Sequence, residues 1–165
     1  MTTEQRADRM VGLGQSAVIQ GSGTLAVLGL GSCVAVLLYD PDARVGGLVH
    51  VVLPTMTLAR DRSNPARFAG TAVPHLLHEM GGAGARRERI RVWLVGGASM
   101  FANLIPAGTS HMGQRNVMAC RTAVRAAELR VAGEAVGGEA GRSVWFDVEI
   151  GKVTVRRVGH EPEVL

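Results

Sequence analysis

The apolar residues of the chain fall into short runs separated by glycine, proline and charged residues, a pattern that favours many strands over long helices. Two runs, residues 33–39 and 45–53, are almost continuously apolar and predict strands covered on both faces. The turn residues Asp40 and Pro41 join them, and a further strand is predicted over 24–28. We expect these three strands to be neighbours in one sheet.

Apolar residues at helical spacing mark two other segments, 65–80 and 116–129. Asn64 precedes the first as a start signal, and Pro74 inside it should kink the helix. The other predicted strands are 10–20, 90–95, 131–136, 143–150 and 153–158. Because strands outnumber helices, we predict the α+β class. We expect one domain over 1–165, with a core from about 10 to 158 and a frayed polar tail over 159–165.

Composition narrows the class of protein. The 165 residues, 47% apolar and 19% charged, are typical of one globular domain with a sizeable core. The apolar runs are too short to span a bilayer, so we predict no membrane insertion, and the N-terminus lacks a signal-peptide core, which favours the cytoplasm. A net charge of +4 comes from residues spread along the chain without interleaved aromatics. This argues against nucleic acid and favours an acidic protein partner.

Candidate chemistry centres on a glycine-rich turn at residues 29–33, which ends at Cys33, and on His50 in the second apolar run. A thiolate is a strong nucleophile, and a neighbouring imidazole can take the thiol proton and hold an ion pair. The backbone around Gly31 and Ser32 is a candidate to hold an oxyanion. The alternatives are that Cys33 is a small buried hydrophobe and that His50 is a core histidine.

Other reactive side chains have simpler interpretations. Cys120 falls on the apolar stripe of the second predicted helix, and two cysteines do not make a disulfide framework. His75 and His78 share a helix face, but a third ligand is lacking, so we predict no metal site and no cofactor. The glycine turn also resembles the start of a dinucleotide-binding fingerprint, although Val34 occupies the third glycine position.

Five sequence blocks, taken together, resemble the chemoreceptor glutamine deamidase family, CheD. They are LGLGSCVAV at 28–36, GLVHVVLP at 47–54, GGASMF at 96–101, GQRNV at 113–117, and the glycines of 137–143 with the hairpin that follows. The resemblance implies an α/β sandwich of mixed or antiparallel sheets with flanking helices and a papain-like Cys–His site. It also implies deamidation of glutamine side chains on methyl-accepting chemoreceptors in bacterial chemotaxis, and binding to a CheC-type phosphatase.

The same resemblance implies roles for single residues. Cys33 matches the family nucleophile and His50 the family base, while the third family position, a threonine, corresponds to Val27. Valine cannot accept a hydrogen bond from an imidazole, so we expect Val27 to weaken catalysis. Groups that would orient His50 instead are a backbone carbonyl or the side chains of Thr24, Thr55 and Asn64.

The competing interpretation is a binding module with weak or no catalysis, which docks on a CheC-type phosphatase or on chemoreceptors. Phe101, beside small residues in the 96–101 block, is then a candidate partner contact. The alternative for Phe101 is a place in the core.

Overall fold

Two five-stranded sheets pack face to face, and two helices cover the outer face of one sheet, in a computed structural model that describes residues 6–107 and 111–165. The strands are β1 Arg9–Met10, β2 Ser16–Gln20, β3 Thr24–Leu30, β4 Val34–Asp40, β5 Val45–Val51, β6 Arg91–Gly96, β7 Arg130–Val136, β8 Arg142–Asp147, β9 Lys152–Arg157 and β10 Glu163–Val164. The helices are α1 Ala69–Gly82 and α2 Met112–Ala126, with short 3-10 turns at Met56–Leu58, Pro65–Arg67, Arg87–Arg89 and Ala102–Leu104.

Both sheets are mixed, which confirms the predicted α+β sandwich. The first has the strand order β1-β3-β8-β9-β10, and the second has the order β2-β5-β4-β6-β7. The β1–β3 and β6–β7 pairs are parallel, whereas the other neighbours are antiparallel. Neither helix in the described part of the chain is long and apolar enough to cross a membrane.

The central strand β4 shows how the layers are held together. Its buried residues alternate between two cores: Val36 packs towards α1 and α2, and Leu37 packs towards the other sheet. Gly46 and Gly47 lie beside it in β5, where a Cβ would collide with Phe146 on one face and with Leu76 of α1 on the other. These two glycines therefore let the sheet on one side and the helix on the other approach β5 closely.

Two predictions about connections were wrong, and one was confirmed. The 24–28 strand extends to Leu30, but it pairs with β8 in the first sheet rather than with the strand that follows it. The segment 33–39 does neighbour 45–53, as β4 and β5. The predicted strand over 10–20 is broken by a turn at Gly14, with φ +64, and its two halves lie in different sheets. In both places a few glycine-containing residues carry the chain from one layer to the other.

The helix starts and the C-terminal tail also differ from expectation. The second helix begins at Met112, four residues before the predicted start, because its first turn packs on the 96–98 backbone. Asn64 does cap a helical turn, by accepting from Ala66 N, and Pro74 lies inside α1. The tail expected to fray contains β10, which pairs with β9, and Leu165 N donates to Val153 O.

Candidate active site

A cleft of about 390 Å³ lies where the end of β3, the turn before β4 and the end of β5 come together. Cys33 and His50 both line it, as does Val27. The remaining lining residues are apolar or glycine: Met10, Val11, Gly12, Leu13, Leu28, Gly29 and Gly31. Among the described residues, the lining of the cleft therefore includes one thiol and one imidazole and no aspartate, glutamate, lysine or arginine side chain.

Strand register explains why Cys33 and His50 share this cleft. Ala35 of β4 pairs with His50 of β5, so Cys33, two residues before Ala35, lies diagonally across from His50. Alternate residues of a strand face the same side of a sheet, and both side chains therefore face the first sheet. Cys33 is half-buried there against the core between the sheets.

His50 is held by a backbone carbonyl. Its ring is buried, and Nδ1 lies 3.1 Å from Val11 O. A carbonyl only accepts hydrogen bonds, so Nδ1 carries the proton and the lone pair of the neutral ring is on Nε2. The loop that supplies Val11 is itself bonded to β5, since Gly14 N donates to His50 O and His50 N donates to Gln15 O, each at 3.0 Å.

This arrangement identifies which of the proposed groups orients the imidazole. The carbonyl of Val11 does so, whereas Thr55 Oγ1 bonds to Thr57 and the Asn64 amide donates to Gly14 O. Val27 is buried in the core between the sheets and contributes only an apolar wall to the cleft. Every residue has a backbone carbonyl, so no sequence pattern could single out Val11 as the partner of His50.

Burial shifts both titratable groups towards their neutral forms. It raises the pKa of the Cys33 thiol, for which no charged partner compensates. Burial also lowers the pKa of His50, and the bond to Val11 O opposes that shift only in part. Both shifts favour the neutral thiol and the neutral imidazole over an ion pair, so we expect proton transfer to accompany attack by the sulfur.

Cys33 lies just beyond the point where β4 and β5 separate. The ladder between the two strands ends at Val34 and Val51. Past this fork, the side-chain amide of Asn116 bridges the two backbone segments: Nδ2 donates to Ser32 O at 2.9 Å and to Val52 O at 3.0 Å. Asn116 therefore fixes the separation of the segment that carries Cys33 from the strand that carries His50.

The orientation of this amide follows from its partners. Two carbonyls face one end of the Asn116 side chain, so that end must be the NH₂ group. The residue is fully buried, and its Oδ1 has no hydrogen-bond partner among the described residues. Asn116 belongs to the GQRNV block, but its role could not be predicted, because its two carbonyl partners come from distant parts of the chain.

Close backbone packing connects the other sequence blocks to the cysteine turn. Gly97 N donates to Cys33 O and Ala98 N donates to Gly31 O, both at 2.8 Å. A Cβ at Gly96 would collide with Cys33 O, and one at Gly113 would collide with Ala98 O. The 96–101 loop, the start of α2 and the turn before Cys33 therefore form one tightly packed unit.

The remaining candidate residues lie outside this cleft. Phe101 is 68% exposed and borders a separate cavity of about 250 Å³, which Ser32 also lines. Cys120 is fully buried under α2, as predicted, and burial raises its pKa to about 12. His75 bonds to Glu79 at 2.6 Å. Among the described residues, no group of three or more potential ligands is placed to hold a metal ion.

A family comparison matches the greater part of the chain. The family model described as CheD chemotactic sensory transduction matches residues 52–157. That match begins after Cys33 and His50 and therefore includes neither residue.

Several relatives align over nearly the full length. A probable chemoreceptor glutamine deamidase CheD from Caldanaerobacter subterraneus is 39% identical over 150 residues, which is 91% of this chain and 93% of the relative. The chemoreceptor glutamine deamidase CheD of Thermotoga maritima is 39% identical over 151 residues, 92% of each chain. A probable CheD of Pyrococcus abyssi is 39% identical over 148 residues, 90% of each chain.

Proposed function

Because this chain belongs to the CheD family, we propose that it is a protein-glutamine deamidase, which hydrolyses glutamine side chains of chemoreceptors to glutamate and releases ammonia. The observation that carries the proposal is the pairing of Cys33 with His50 in one uncharged cleft, with the lone pair of His50 on Nε2. We assign Cys33 as the nucleophile and His50 as the base. The names of the full-length relatives support the substrate class.

In the first half of the reaction the sulfur of Cys33 attacks the δ-carbon of the substrate glutamine. Nε2 of His50 takes the thiol proton as the carbon–sulfur bond forms, since burial raises the pKa of Cys33 and favours the protonated thiol. The resulting imidazolium gives this proton to the amide nitrogen, and ammonia leaves as the tetrahedral intermediate collapses to a thioester. The N–H of Cys33, in the turn with Gly31 and Ser32, is the proposed donor to the oxyanion.

In the second half, water hydrolyses the thioester. His50 takes a proton from the water molecule as the water oxygen attacks the carbonyl carbon. His50 then gives this proton to the departing sulfur of Cys33. The product is a glutamate side chain and the thiol is regenerated. The bond from His50 to Val11 O supports both halves, because a fixed tautomer keeps Nε2 available to accept and return the proton.

Deamidation gives the receptor a new negative charge at each converted glutamine. On a helix, like charges one turn apart oppose folding by about 0.2–0.5 kcal/mol per pair, so the reaction alters receptor packing and creates a carboxylate for methylation. The proposal includes a cytoplasmic location and a CheC-type phosphatase as a second partner. The exposed ring of Phe101 is the proposed contact for that partner.

The test uses the cytoplasmic fragment of a methyl-accepting chemoreceptor as substrate. Incubation with the protein should increase the intact mass of the fragment by about one dalton per converted glutamine and release one ammonia for each. A folded protein that binds the fragment and leaves its mass unchanged would favour the binding module instead. A fragment with every candidate glutamine changed to glutamate is the control, and its mass should not change.

A further inference from the structure

Three large apolar side chains surround the opening of the Cys33–His50 cleft and remain exposed to solvent. They are Met10, Leu13 and Leu28, exposed by 52%, 68% and 56%, and all three line the cleft. We call these three residues the apolar collar. Isolated exposed leucines are common on protein surfaces, but convergence of three large apolar side chains around one cleft marks an interaction surface.

Local backbone structure holds the collar in place. Leu13 lies in a tight turn in which Gln15 N donates to Gly12 O, and Gly14 N of the same turn donates to His50 O. A leucine at such a position gains nothing for the fold, because turns favour small polar residues and glycine. The side chain is therefore displayed on a support that is bonded directly to the strand carrying the proposed base.

Leu28 reaches the cleft because of an irregularity in β3. The pairing of β3 with β8 shifts register between Val27 and Leu30, and Gly29 there has φ +69. Gly29 N donates to the side-chain hydroxyl of Ser143 in β8 rather than to a backbone carbonyl of that strand. Bulges of this kind redirect side chains and are common beside active sites. Here the bulge leaves Leu28 exposed at the edge of the cleft.

We propose that the apolar collar is the docking surface for the substrate protein, and that it selects glutamines whose neighbours are apolar or small and uncharged. The inference rests on the proposed function, since any segment that brings a glutamine to Cys33 has to lie on these side chains. The lining residues that the structure describes include no charged side chain, so a lysine or glutamate placed against them would lose water without compensation.

The experiment changes residues of the collar and leaves Cys33 and His50 in place. Leu13→Ser and Leu28→Ser should each raise the KM for a chemoreceptor cytoplasmic fragment about tenfold, and kcat should stay within about twofold. The matched control is Ile150→Ser, because Ile150 is 66% exposed and lies in the turn between β8 and β9, outside the cleft. Its KM should equal that of the unmodified protein. Alkylation of Cys33 by iodoacetamide should proceed at the same rate in all variants.

A second arm tests selection by the same surface. Changing an uncharged neighbour of one modified glutamine to glutamate or to lysine should lower kcat/KM at that position about tenfold with the unmodified protein. With the Leu13→Ser, Leu28→Ser double variant the penalty should shrink to about twofold, because the collar that imposes it is gone. This coupling separates docking on the collar from a general effect on substrate folding.

The outcomes separate this inference from the proposed function. No deamidation by the unmodified protein would contradict the proposed function itself. Normal deamidation with an unchanged KM in the double variant would overturn the collar as the docking surface for the substrate. The collar would then bind a phosphatase or a second copy of the chain instead. A slower reaction of Cys33 with iodoacetamide in the double variant would also overturn it, since the leucines would then shape the thiol site.

Discussion

The two cysteines occupy opposite sides of the central sheet and have different surroundings. Cys33 precedes β4, faces the first sheet and lines an open cleft with His50. Cys120 lies in α2, faces the helix side of the same sheet and is fully buried among apolar residues. Burial raises the pKa of both thiols. The direction of the pKa shift is therefore the same for both thiols. They differ in access to solvent and in the presence of a neighbouring base.

This comparison explains why the site needs so much supporting structure. A thiol whose pKa is raised is a poor nucleophile until a base removes its proton. The cleft around Cys33 provides that base in a fixed tautomer, and Asn116 holds the two strands at the fork. Around Cys120 the structure provides only close packing, which stabilises the fold and excludes reagents.

The largest expected difference between the two thiols is in alkylation. Iodoacetamide should modify Cys33 in the native protein, and Cys120 should react more slowly by a factor on the order of 10⁴, because it is reached only by local unfolding. The rate for Cys33 should keep rising as the pH is raised past about 8.5, since burial raises its pKa. Peptide mass mapping after timed quenching measures both rates. Equal rates in folded protein would contradict the assigned surroundings.

Removal of the base should have the next largest effect. His50→Gln should lower the deamidation rate by about 10² to 10⁴, because no other described residue lining the cleft can take the proton from the thiol. The folded protein favours neutral His50, so this residue contributes stability above about pH 6.5, which is lost as the pH falls through its lowered folded pKa. His50→Gln should therefore melt with a weaker dependence on pH just below about pH 6.5. Deamidation at the unmodified rate would exclude His50 as the base.

A smaller but still large effect is expected at the fork. Asn116→Asp keeps the shape of the side chain but turns a carboxylate towards Ser32 O and Val52 O, so the two strands should separate slightly and kcat should fall about 10- to 100-fold. Raising the pH should lower kcat further, because an ionised carboxyl group cannot donate a hydrogen bond to either carbonyl. Rates are compared well below the melting temperature of the variant. Asn103→Asp, the same change at an exposed asparagine, is the control. If Asn116→Asp melts earlier but retains kcat and the alkylation rate of Cys33, Asn116 stabilises the fold without positioning the thiol.

The smallest change is expected at the missing family threonine. Val27→Thr should alter the deamidation rate by less than about threefold, because Val11 O already orients the ring of His50. The new hydroxyl should cost about 1–3 kcal/mol of unfolding free energy if it finds no partner in the buried wall. Rates and melting curves of the two proteins measure both effects. A rate increase of tenfold or more would mean that the Val11 carbonyl orients the imidazole poorly.

The features that the sequence predicted are those set by local pattern. The apolar runs that became β4 and β5 were found because both faces of these strands are buried, and the turn at Asp40 joined them correctly. The candidate pair Cys33 and His50 followed from those runs, since residues near the ends of neighbouring strands meet in space.

The features that could not be predicted depend on distant parts of the chain. The transfer of β3 into the other sheet is decided by its pairing with β8, more than a hundred residues later. The partner of His50 is a carbonyl, which every residue possesses, and the two bonds of Asn116 connect backbone atoms in separate segments. Such contacts carry no periodicity or composition that a single sequence displays.

The most direct test of the central claim compares two alanine variants in the deamidation assay. Cys33→Ala should convert no glutamine of the chemoreceptor fragment while melting close to the unmodified protein, because it removes one small half-buried side chain. Cys120→Ala should convert the fragment at nearly the unmodified rate and melt a few degrees lower, since it leaves a small cavity under α2. Continued release of ammonia by folded Cys33→Ala, or its loss in folded Cys120→Ala, would contradict the assignment of Cys33 as the nucleophile.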